Sequence, residues 1–189
     1  MATIPDMDPG LPLLVVAVDE EAEHLHDLGL PVLVTGAGKV NAATAVARAL
    51  AVGTPAEVVN LGTAGGLVDG VSGTHVVGRV VQHDLDDAAL IALTGRSFSP
   101  ELSLGEGPTL ATGDVFVADS TVRATLAQRA QLVDMEGYGV AHAAGYAGVP
   151  VRLVKHVSDP SDETAFKSWA ESVAACSVHL ADWARGNLL

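Results

Sequence analysis

A chain of 189 residues, 49% of them hydrophobic, suits one compact domain with a sizeable core. Ten Lys and Arg against 23 Asp and Glu leave a formal net charge of -13, which excludes a role built on neutralising nucleic-acid phosphates. No apolar run approaches the ~18 residues that span a membrane. The segment Met1 to Asp6 lacks the basic start of a signal peptide. The single Cys176 allows neither an internal disulfide nor a zinc cluster, so a cytoplasmic location without a metal is expected.

In chain order, short β-branched runs alternate with Ala-rich stretches. Leu13 to Val18 reads as a buried strand, and Asp19 to Leu28 as a helix whose acidic first turn suits the helix dipole. Pro31 to Thr35 is a second strand, followed by a tight turn at Gly36 to Lys39. Val40 to Val52 is an Ala-rich helix stopped by Gly53 and Pro55. A third strand, Glu57 to Leu61, runs into a glycine turn at Gly62 to Gly66. Thr74 to Gln82 reads as one longer strand, and Ala88 to Pro108 as a variable loop. Thr109 to Val117 holds short strand pieces, and Ser120 is placed to cap a helix ending near Arg129. Gln131 to Asp134 is a short strand that feeds a helix from Glu136 to Ala147, ended by Gly148 and Pro150. Val151 to Val157 is the last strand, and a long helix from Glu163 to Arg185 follows.

Strands separated by helix-length segments imply crossovers. The expected fold is therefore α/β: three layers, with a mainly parallel central sheet flanked by helices, in one domain covering 1–189. In such sheets ligands bind beyond the carboxyl ends of the strands. Those ends here are followed by Glu21, Glu136 and Asp159 and by two glycine-rich turns. Neither turn has Rossmann or P-loop spacing. Each carboxylate alone has an ordinary reading: a solvated helix acid, a helix N-terminal acid and an Asx-turn residue respectively. Three at one sheet edge form a candidate site.

Six segments, in order, resemble the nucleoside phosphorylase/nucleosidase superfamily, and within it the 5'-methylthioadenosine/S-adenosylhomocysteine nucleosidases. They are Ala17 to Ala22, Thr35 to Ala43, Asn60 to Leu67, Thr112 to Phe116, Val133 to Glu136 and Val157 to Asp159. The resemblance implies that Asp159, positioned by Ser158, is the acid that protonates the purine at N7. It implies that Glu21 is the base that activates water, and that Glu136 grips the ribose hydroxyls with Met135 packed beside it. Thr63, Ala64 and Gly65 match positions that contact nucleoside or water, and Phe116 one that stacks on the base. Val117 and Val157 are expected to wall the purine. Lys155 falls where the family carries an arginine near the attacking water, and it keeps the charge without the bidentate fork. By strand alternation, His156 points away from the site.

Hydrolysis is favoured over phosphorolysis. Phosphate needs converging cations, yet no Lys or Arg precedes Lys39, and Asp19 to Glu21 is acidic. The expectation is an N-glycosyl hydrolase acting on 5'-methylthioadenosine or S-adenosylhomocysteine, with water as nucleophile, no cofactor and a homodimeric state by resemblance. Futalosine hydrolase, purine nucleoside phosphorylase and a non-catalytic nucleoside-binding module are the alternatives. The chain is shortened between Asp87 and Pro108, where the family builds its 5'-substituent pocket and part of its dimer contact.

Overall fold

The computed structural model describes residues 2–189. Among them run β1 (Leu13–Val16), α1 (Asp19–Ala22), β2 (Val32–Val34), α2 (Lys39–Val52), β3 (Val58–Gly66), β4 (Thr74–Val76), β5 (Arg79–Gln82) and α3 (Asp87–Thr94). These are followed by β6 (Leu102–Ser103), β7 (Thr109–Thr112), α4 (Ser120–Leu126), β8 (Leu132–Asp134), α5 (Gly137–Tyr146), β9 (Val151–Asp159) and α6 (Ala165–Leu188).

The strands form one sheet in the order β2-β1-β3-β8-β7-β5-β6, with β9 paired to β3 and β4. Five pairings are parallel and three antiparallel, so the sheet is mainly parallel. The faces of β1 show why helices cover both sides. Leu13 and Val15 pack with Ala42, Val46 and Ala49 of α2 and with Val140 and Ala144 of α5. Leu14 and Val16 face the other way, against Ala22 of α1 and Leu180, Ala181 and Ala184 of α6. A continuous apolar strand with alternating partners is what a doubly covered sheet requires. A third cluster seats Leu126 and Ala130, at the end of α4 and just beyond it, against Leu67, Ala111 and Val133. The three-layer α/β architecture is thus present.

Several local expectations are corrected. The glycine segment Gly62 to Gly66 is not a turn but the second half of β3. Its small residues serve close approach: a Cβ on Gly62 would lie 3.0 Å from Lys155 Nζ. The helix expected over Asp19 to Leu28 is one turn, α1, followed by a 3-10 turn at His26–Leu28. The i to i-3 bonds from Leu25 N to Ala22 O and from Leu28 N to Leu25 O tighten the chain, and left-handed Gly29 stops it. The strand expected over Thr74 to Gln82 breaks at Val77 and Gly78, where β4 leaves β9 and β5 joins β7. A Cβ on Gly78 would come within 2.6 Å of the Gly107 backbone.

The stretch from Ala88 to Pro108 is not loop throughout, since it contains most of α3 and all of β6. The Asp86 side chain caps α3 by accepting from Ala89 N, and Gly95 closes the helix in the left-handed region. The cap of α4 is Asp119, which accepts from Thr121 N and Val122 N, and Ser120 is the first helical residue. That helix ends at Leu126, one turn before Arg129.

Candidate active site

The sheet leaves a gap beside β3. Its pairing with β1 ends at Asn60, and its pairing with β8 begins at Gly65. Thr63 lies between, so its backbone N–H has no strand partner on that side. Glu21 supplies one: Oε1 accepts from Thr63 N at 2.7 Å and from Thr63 Oγ1 at 2.9 Å, while Oε2 accepts from Ala17 N at 3.0 Å. The single turn of α1 is what folds this carboxylate back over the end of β1.

Glu136 occupies the N-cap position of α5 without capping it. Its Oε1 reaches across to Gly38 N, at the start of α2, at 2.8 Å. Gly38 adopts φ +96°, a conformation that suits glycine. Asp159 ends β9: Oδ2 accepts from Ser158 Oγ at 2.8 Å, and Oδ1 from Ser161 N at 2.9 Å. All three carboxylates open on one cavity of about 270 Å³.

The cavity also exposes Thr63, Ala64, Gly65, Met135 and Ser158. Phe116, Val117 and Val115 form an apolar wall, and Phe166 and Trp169 close it from α6. Phe116 stacks on Phe166 with centroids 4.6 Å apart. Thus Glu21, Glu136, Asp159, Thr63, Ala64, Gly65, Phe116, Val117, Met135 and Ser158 converge as the sequence indicates.

Two of the expected residues lie outside this cavity. Val157 lines a separate cleft of about 350 Å³ behind Ser158, with Arg123 and Asp69, rather than the cavity. Lys155 is fully buried and does not line the cavity either. Its ammonium lies beneath Gly62, 2.8 Å from Asp134 Oδ2. His156 does point away, bonding Thr74 Oγ1 and stacking on His179.

Electrostatics follow from this arrangement. Burial pushes Glu136 up to about 7, and the neighbouring Asp134 carboxylate adds to that, against the opposing pull of Lys155 and the Gly38 N–H. Burial also raises Asp159 above the usual aspartate value, although Ser158 and Ser161 favour its ionised form. Burial alone would lower Lys155, but the carboxylates of Asp134, Glu136 and Glu21 outweigh it and hold the ammonium above its ordinary value.

Sequence reasoning named Asp134 without giving it a role and missed Trp169 and Phe166. Asp134 accepts from Thr112 Oγ1 at 2.6 Å and from Gly137 N at 2.7 Å, which fixes the carboxylate that pairs Lys155. Phe166 and Trp169 stand three residues apart near the start of a long helix, on one face by spacing. That spacing was legible, but it could not say that the face meets the cavity.

A doubly covered sheet with a carboxylate-lined cavity at the carboxyl ends of β1, β8 and β9 defines an α/β enzyme-like class. The phosphorylase superfamily model matches residues 24–103 and 104–182, and the chain belongs to that family. It is 26% identical to a 5'-methylthioadenosine/S-adenosylhomocysteine nucleosidase of Chromohalobacter salexigens, over 84% of this chain and 80% of the relative. It is 28% identical to the nucleosidase of the same name from an Exiguobacterium species, over 84% and 79%. A futalosine hydrolase mutant of Helicobacter pylori superposes with a TM-score of 0.82 at 20% identity, over 93% of this chain and 97% of that one. A Helicobacter pylori MTAN mutant with 5'-methylthioadenosine in its active site does so with a TM-score of 0.82 at 22% identity, over 94% and 97%.

Proposed function

We propose that the chain hydrolyses the N-glycosidic bond of a purine nucleoside of the 5'-methylthioadenosine or S-adenosylhomocysteine kind. The observation that carries this is that the carboxylates of Glu21, Glu136 and Asp159 face one cavity, with Asp134 also in its lining and no Lys or Arg there among the described residues. Asp159, with its pKa raised by burial, donates its proton to the purine N7. The bond from the sugar carbon to the base breaks with its electron pair going to the base, and the sugar becomes cationic. The Glu136 carboxylate accepts from the ribose hydroxyls and stabilises that cation. Water adds to the sugar carbon and its proton passes to Glu21. The sum is nucleoside plus water giving free base and free sugar, with acid and base on opposite sides of the bond. Phe116, Val117 and Met135 pack on the base and sugar, and Thr63, Ala64 and Gly65 hold the water side.

Lys155 enters as a buried counter-charge rather than a substrate contact. Phosphate as nucleophile would meet Glu21 with no cation beside it in the cavity wall, so water is the partner. No cofactor or metal takes part in this reading. The span works as one domain, since strands from both halves share one sheet. A homodimer is supported by α3, whose Ile91 and Leu93 are exposed and which buries no residue. Among the described residues no helix is long and apolar enough to cross a membrane. The lone, free Cys176 supports a cytoplasmic setting.

The deciding experiment is a nucleoside panel, including futalosine, with base and sugar products separated chromatographically, with and without phosphate. Free base and free sugar in both buffers are expected. A sugar 1-phosphate formed only with phosphate would reassign the chain as a phosphorylase.

A further inference from the structure

The geometry points to Trp169 as a positioning residue for Glu21, acting through the hydroxyl of Thr63. This rests on the reading of Glu21 as the base. Trp169 Nε1 donates to Thr63 Oγ1 at 3.0 Å, and Thr63 Oγ1 stands 2.9 Å from Glu21 Oε1. An indole N–H can only donate. Thr63 Oγ1 therefore accepts from the indole, and its own proton is directed to Glu21.

Counting acceptor sites gives the consequence. A carboxylate has about four lone-pair sites, two on each oxygen. On Glu21 Oε1 both are taken, by Thr63 N and by the Thr63 hydroxyl. On Oε2 one is taken, by Ala17 N. One site remains on Oε2, and that is where a water can lodge its proton. The two backbone N–H groups leave two sites open, and the indole, by directing the Thr63 hydroxyl, closes one of them so that a single basic position remains. It also keeps the Thr63 hydroxyl from swinging away from Glu21 toward the cavity. An aromatic ring without an N–H would fill the same space and leave the hydroxyl free to rotate.

The relay is tested in two ways. In kinetics, Trp169→Phe keeps the ring and is expected to lower kcat by about tenfold with KM changed less than threefold. In a Thr63→Val background the same substitution is expected to cost almost nothing further, because the relay is already cut. An equal cost in both backgrounds would show that the indole acts by packing and would overturn the proposal. The second readout needs no turnover. Among the indole N–H resonances in a 1H–15N spectrum, the one lost in Trp169→Phe is expected to move upfield in Thr63→Val and to exchange faster with solvent. An unmoved resonance overturns the relay. A wild-type chain that releases no base from any purine nucleoside overturns the hydrolase reading, and the resonance still decides the contact.

Discussion

Lys155 Nζ lies 2.8 Å from Asp134 Oδ2, with both side chains 1% exposed, beneath a site that holds three further buried carboxylates, Glu21, Glu136 and Asp159. No other Lys or Arg is that deeply buried among the described residues. Removing one member of such a pair strands the other charge and costs about 3–5 kcal/mol, whereas replacing both members is far milder. Lys155→Met is therefore expected to lower unfolding stability by that amount in urea titrations. The double variant Lys155→Met with Asp134→Leu recovers most of it. Equal stability of Lys155→Met and wild type would refute the charge-balance account.

Glu136 lies above its ordinary 4.5, at about 7, so its ionisation opposes folding. Its contribution to stability is full below about 4.5 and is lost as pH rises through about 7, amounting to roughly 3 kcal/mol. Glu136→Gln is expected to flatten that part of the stability-versus-pH curve, and stability measured by denaturant melts between pH 4.5 and 8 checks it.

In the proposed function the same group grips the sugar. The ionised carboxylate accepts from sugar hydroxyls better than the protonated one. In the Asp159→Asn variant, chosen because slow turnover is expected of it, nucleoside affinity is expected to rise as pH climbs from 6 to 8, by up to about tenfold per pH unit below the Glu136 value. Calorimetric titration at several pH values reads this, and the slope should vanish when Glu136→Gln is added.

Asp159→Asn itself removes the proposed proton donor while keeping the shape of the side chain. A loss of about 10²- to 10⁴-fold in kcat is expected, the range for a positioned acid, with nucleoside binding retained. Near-normal turnover would move the acid elsewhere.

Gly65 is packed against Ser161 Oγ, and a Cβ there would also lie 3.1 Å from Asp159 Oδ1 and 3.1 Å from Val133 Cγ1. Gly65→Ala must displace Ser161, whose backbone N–H holds the Asp159 carboxylate. A drop of at least about tenfold in kcat is expected, since small misplacements of a catalytic group are costly. A steady-state assay of the folded variant, checked by circular dichroism, is sufficient.

How much of this was legible in the sequence differs residue by residue. The β-branched runs fixed most strands because apolar continuity in a doubly covered sheet leaves few alternatives. The three acids were legible because each follows such a run. The extension of β3 through Gly62 to Gly66 was not, because glycine signals a turn locally. Only the neighbouring Lys155 and Ser161 side chains make it a close-packed strand. The helix α3 had readable caps in Asp86 and Gly95, yet its sequence buries nothing, so no amphipathic period marked it. Resemblance placed Lys155 near the attacking water, and its burial beneath Gly62 was not legible because strand alternation gives a side of the sheet but not a depth. Trp169 is 106 residues from its partner Thr63, a separation that no local pattern spans.

The gap beside β3 has a consequence for how damage at this site will look. The Glu21 carboxylate stands where a neighbouring strand's carbonyl would otherwise receive the Thr63 amide. The proposed base is therefore also a rung of the ladder. Shortening it to alanine removes a chemical group and a structural tie at once, leaving the part-buried N–H groups of Thr63 and Ala17 without their acceptor. A variant that loses the carboxylate must therefore supply another acceptor here, a side chain or a water in the cavity, to keep the sheet edge intact.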